Sequence, residues 1–164
     1  MKEIRYDLEE EDWRLIRELV HHKLTIHDKG MGRPPERKRR DQWIGMAGEY
    51  IFAQYIDQLD DFLAYRKMKD FDPYTGDGGA DFVLEGKKID VKTSWQYRAD
   101  VSLERLRMIV PDVRPVIYVY VIIDFQGEAG YLMGWKEHDK LQYREEYYDC
   151  PADLLEPMTT LRGA

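Results

Sequence analysis

Residues 79–94 read GADFVLEGKKIDVKTS, two short β-prone runs on either side of Glu85-Gly86. Phe82, Val83 and Leu84 form the first run, Ile89 and Val91 anchor the second, and the Gly between them suits a tight reversal. With Glu85-Gly86 as the loop, Leu84 pairs with Lys87 and Phe82 with Ile89. Asp81 then falls opposite Asp90, with Cβ atoms roughly 4.5–5.5 Å apart. Directly opposed like charges destabilise a sheet, so one acid is protonated or a cation lies between them. A divalent metal is the economical expectation. Alternation puts Lys92 on the face of Asp90 and turns Val91 to the other side. A three-residue loop, Glu85 to Lys87, would slip this register by one and separate the acids, so the chemistry depends on the turn.

Asp81, an eight-residue spacing, Asp90-Val91-Lys92 and then Thr93-Ser94, preceded by Gly48-Glu49 on a helical segment, resembles the core of the PD-(D/E)XK nuclease superfamily. Ala80 replaces the nominal Pro, and Asp90 stands where Glu is commoner; neither change removes a ligand. The resemblance implies a restriction-endonuclease-like fold and a Mg²⁺-dependent (or Mn²⁺-dependent) deoxyribonuclease. Asp81 and Asp90 would hold the metal through oxygen, joined by water and the Val91 carbonyl, and Glu49 would complete the shell directly or through water. Lys92 would orient the attacking water or neutralise charge on the phosphate.

The 164 residues are 43% hydrophobic and 35% charged, which predicts one globular domain with a real core. No apolar run approaches the ~20 residues that span a bilayer, and the acidic start MKEIRYDLEEEDW does not resemble a signal peptide. The expectation is a cytoplasmic protein without a membrane partner. Cys150 is the sole cysteine, which excludes an internal disulfide and a Cys-rich zinc site. A net charge of −7 argues against coating nucleic acid through bulk charge, while local basic patches can still grip phosphates.

Along the chain, Leu8, Trp13, Leu15, Ile16, Leu19, Val20 and Leu24 recur at helical spacing, with Asp7 as expected N-cap. His21, His22 and His27 read as helix-end histidines rather than ligands. Residues 25–40 carry Gly30, Gly32, Pro34 and Pro35, then Arg37, Lys38, Arg39 and Arg40. With Arg33, they read as a basic loop that could hold phosphates. Asp41 is expected to cap a second helix reaching about Leu59. Glu49 lies there on a largely apolar flank with no cation at helical spacing, so it needs a partner from elsewhere. A strand over 62–68 and a turn-rich loop over 70–78 follow, with Asp70, Asp72 and Asp77 as loop acids. Beyond Lys92, Thr93, Ser94, Gln96, Tyr97 and Arg98 suit phosphate contacts and stacking on unpaired bases, with Trp95 among them. Residues 103–110 are ambiguous between a short helix and irregular chain. VIYVYVII at 116–123 reads as a central strand covered on both faces, 131–135 as its return, and 152–161 as a last helix begun by Pro151.

The order predicts an α/β chain, a mixed sheet flanked by helices. Residues 1–40 would carry a helix and basic arm, 41–135 the catalytic core and 136–164 a C-terminal segment. The leading functional expectation is cleavage of DNA, leaning toward structure-directed cutting of flaps or junctions; a homodimer would serve to cut both strands. The alternatives are a non-catalytic DNA-binding or assembly protein on the same fold and an acidic adaptor with a fortuitous motif.

Overall fold

A computed structural model of the chain describes residues 3–26, 35–66, 80–97, 100–105, 117–144 and 147–163. In order these form β1 (Ile4–Asp7), α1 (Glu10–Ile26), α2 (Pro35–Tyr55), α3 (Leu59–Arg66), β2 (Phe82–Leu84), β3 (Lys87–Ser94), β4 (Asp100–Arg105), β5 (Ile117–Asp124), β6 (Ala129–Glu137), β7 (Gln142–Arg144) and β8 (Tyr147–Pro151). Short 3-10 turns follow at Ala152–Leu154 and Met158–Thr160. The strands make a five-stranded mixed sheet, β1-β6-β5-β3-β2, and a three-stranded antiparallel sheet, β4-β8-β7. A mixed sheet with helices against it is the expected general class. Among the described residues no helix is long and apolar enough to cross a membrane.

β5 is central, as its composition requires. It pairs parallel with β3 and antiparallel with β6. Ile117, Val119, Val121 and Ile123 share one buried cluster with the helices, while Tyr118 and Tyr120 pack with Val101 of β4 and Cys150 of β8. Both faces are therefore covered, by helices on one side and by the small sheet on the other. Burial there pushes the Cys150 thiol pKa up.

Four readings of the sequence are corrected. Asp7 does not cap α1; it ends β1, paired with Ala129 of β6. The helix starts at Glu10, where Glu10, Glu11 and Asp12 complement its dipole and Asp12 Oδ2 accepts from the Glu9 N–H at 2.8 Å, the returning half of a capping box. The other Asp12 oxygen accepts from Tyr50 Oη at 2.6 Å, which ties α1 to α2; burial and this carboxylate both raise the Tyr50 pKa. Second, α2 begins at Pro35 rather than Asp41, the first-turn position where Pro costs no hydrogen bond. Arg37, Lys38, Arg39 and Arg40 consequently lie on helix, not in a loop. Third, the strand expected over 62–68 is α3 through Arg66: Asp57 reverses the chain at φ 59°, Asp60 and Asp61 fill the first turn, and Phe62 stacks on Phe82 of the hairpin with centroids 5.5 Å apart.

Fourth, no α-helix spans 152–161. Pro157 lies inside that span, lacks a donor and obstructs the preceding turn, so the chain makes two 3-10 turns instead. Its backbone exchanges hydrogen bonds between Glu156 and Trp135 at 2.8 and 3.0 Å, burying Leu155, Met158 and Leu161. The ambiguous segment after 102 continues β4 to Arg105; the rest of it, and the loop acids Asp70, Asp72 and Asp77, lie outside the described residues.

Candidate active site

The turn at Glu85-Gly86 has the predicted two-residue form, with φ of 50° and 79°, and the register is Leu84 with Lys87, Val83 with Lys88 and Phe82 with Ile89. Pairing stops there. The Asp81 N–H donates to the Ile89 carbonyl at 2.9 Å, and Ile89 already faces Phe82, so two residues of one strand share one of the other and the chain bends as at a bulge. Asp81 thus leaves the ladder instead of facing Asp90 within it. Its Oδ2 accepts from the Val91 N–H at 2.7 Å.

Helix α2 lies close against β3 at Gly48, where any Cβ would overlap the side chain of Thr93. The next residue, Glu49, is only 6% exposed. Its partner is Arg66, the last residue of α3: Arg66 Nη2 donates to Glu49 Oε2 at 2.5 Å and lies 3.7 Å from Asp81 Oδ1. The guanidinium rests over the rings of Phe62 and Tyr65, 5.6 and 5.9 Å from their centroids. Glu49 and Asp81, from separate elements, therefore share one cation. Sequence reasoning missed Arg66. The signal was present, because Leu59, Phe62, Leu63 and Arg66 fall at helical spacing and put a cation on an apolar stripe, the counterpart of Glu49 on its own flank.

Asp90 and Lys92 share a face of β3 as expected. Lys92 Nζ lies 2.5 Å from Asp90 Oδ2, yet that oxygen is buried and takes no hydrogen bond of normal geometry among the described residues. Among those residues no three His, Cys, Asp or Glu side chains gather closely enough to hold a metal. The donor chemistry nevertheless fits one: carboxylates and a backbone carbonyl are the hard oxygen ligands that Mg²⁺ or Mn²⁺ takes.

At the carboxyl end of β3 a cavity of about 310 Å³ opens between Arg40, Asp41 and Gly45 of α2 and Lys92, Thr93 and Trp95. Lys92 borders both Asp90 and this cavity. Thr93 Oγ1 is buried and makes no hydrogen bond among the described residues. Ser94 Oγ donates to the Gln96 carbonyl at 2.8 Å and accepts from the Gln96 N–H at 3.1 Å, and Tyr120 Oη donates to the same carbonyl at 3.3 Å. This turn presents Trp95 (47% exposed) and Tyr97 (62% exposed) outward. Arg39 and Arg40 are exposed on the first turns of α2. Arg33 and Arg98 lie outside the described residues, as do the side chains of Arg37 and Lys38. A larger groove of about 1070 Å³, edged by Trp13, Trp43 and Phe125, is lined by none of Glu49, Asp81 and Asp90.

Comparison with protein-family models, curated proteins and solved structures finds no match for this chain.

Proposed function

We propose that this chain is a metal-dependent nuclease that hydrolyses DNA phosphodiester bonds. The observation that carries the reading is the convergence of Glu49 from α2 and Asp81 from the hairpin on one shared cation, beside the Asp90-Val91-Lys92 strand. An acidic pair from separate elements, a third acid and beside it a lysine that itself lines a cavity are what the resemblance to PD-(D/E)XK nucleases leads one to look for.

In this reading Asp81, Asp90, Glu49 and the Val91 carbonyl would hold Mg²⁺ or Mn²⁺, which would supply Lewis-acid activation of the phosphodiester and of water. Lys92 neutralises charge as it grows on the phosphate oxygens, an effect strongest where water is excluded. Thr93, Ser94 and Arg40 line the entrance as phosphate contacts, which fix the strand without reading its sequence. Gln96 lies on the same turn, and Tyr97 and Trp95 offer flat surfaces for unpaired bases, favouring flap or junction substrates over intact duplex.

The test is cleavage of a labelled panel (single strand, duplex, flap, four-way junction, closed circle) with Mg²⁺, Mn²⁺ or EDTA. Asp90→Ala and Lys92→Ala are expected to lower metal-dependent cutting by about 100-fold or more. A second reading, a non-catalytic DNA-binding or assembly protein on this fold, is favoured by one observation, the Arg66 guanidinium already satisfying Glu49 and Asp81. It predicts that wild type and both variants bind DNA equally and that none cuts.

A further inference from the structure

We infer that Arg66 closes the acidic pair to divalent cations, so that its ion pair with Glu49 and metal binding at Glu49 and Asp81 exclude one another. The inference rests on the nuclease reading for the existence of the metal, and adds to it a residue that controls loading.

A single nitrogen, Arg66 Nη2, serves both carboxylates, at 2.5 Å from Glu49 and 3.7 Å from Asp81. The side chains are 7% (Arg66), 8% (Glu49) and 12% (Asp81) exposed. Carboxylates so deeply buried cannot be left without a counter-charge, so a cation is present whether or not metal is bound. Guanidinium and a divalent ion both satisfy that demand, through the same oxygens. Satisfying it twice would crowd two cations against one another.

The guanidinium also has somewhere to go. A cavity of about 350 Å³ adjoins the pair, lined by Asp61, Phe62, Tyr65 and Asp81. Asp61 is exposed and offers a replacement carboxylate, and the Phe62 and Tyr65 rings that already lie under the guanidinium border this space, so the cation–π contact can be kept. Loading then costs the exchange of one ion pair for another. The observed metal affinity falls by the fraction of molecules in which Arg66 has withdrawn.

The experiment is titration calorimetry of the full chain with Mn²⁺, without DNA, for wild type, Arg66→Gln and Arg66→Lys, together with melting curves with and without Mn²⁺. Arg66→Gln is expected to melt lower than wild type in EDTA, to bind Mn²⁺ about tenfold tighter or more, and to recover its melting temperature when Mn²⁺ is added. Arg66→Lys, which keeps the charge but carries it as a compact ammonium on a shorter side chain, should fall between and guards against a glutamine variant that does not fold. A merely structural arginine would give a melting loss that Mn²⁺ does not repair. Equal or weaker Mn²⁺ binding in the variants would overturn the inference while leaving the nuclease reading standing. No Mn²⁺ binding in any of the three would remove both.

Discussion

Glu49 and Arg66 illustrate how much one buried charge asks of its surroundings. Removing one partner of such a pair leaves the other desolvated and uncompensated, at a cost of about 3–5 kcal/mol, whereas replacing both by apolar groups of similar volume is close to neutral. Arg66→Met alone, which takes the cation from both Glu49 and Asp81, should therefore lower stability to urea by about 3 kcal/mol in EDTA, and adding Glu49→Leu and Asp81→Asn should recover most of that loss; additive losses in the triple variant would mean that the three side chains are not coupled. At this scale the sequence was half legible. An acid on an apolar flank announced that a partner existed, and the partner was identifiable only once residues 59–66 were read with a helical period. Phe62, Leu63 and Tyr65 have strong β-propensity as a group and pulled the reading toward a strand, while the acids Asp60 and Asp61 before them, a helix-start signal, carried less weight.

Among the elements, the hairpin was the most legible, because a two-residue reversal with Gly second fixes its own register. Its weak point is Glu85, which holds φ 50° in a region where Asn is several-fold enriched and longer side chains are not. Glu85→Asn should raise stability by about 0.5 kcal/mol, measured as a higher urea midpoint with unchanged slope, despite loss of the long 3.3 Å contact from the Gly163 N–H to Glu85 Oε2. What the turn could not announce was the departure of Asp81 from the ladder one residue after Phe82. Bulges leave little trace in a single sequence. The basic run of residues 37–40 was misread because Gly30, Gly32, Pro34 and Pro35 argue for a break that lasts up to Asp41, although Pro at position 35 also suits a first helical turn.

For the whole molecule, the legible part was the class, a mixed sheet flanked by helices, and the centrality of β5. Strand order was not, since β1 pairs with β6 and β4 with β8 across long stretches of chain, and neither partner carries a local sign of the other. The small sheet went unread because β7 is three residues long and β8 ends in the Pro that suggested a helix start. Its position has a consequence for labelling chemistry. Cys150, the sole cysteine, is 2% exposed between the two sheets, and its thiol is held protonated by burial, while the thiolate is the species that reacts. A disulfide reagent at neutral pH should thus modify the native chain only when β8 lifts from β5, so the labelling rate, followed across a urea series below the unfolding midpoint, times the opening of that one layer. A rate equal to that of the unfolded chain would show that the small sheet does not cover β5 in solution.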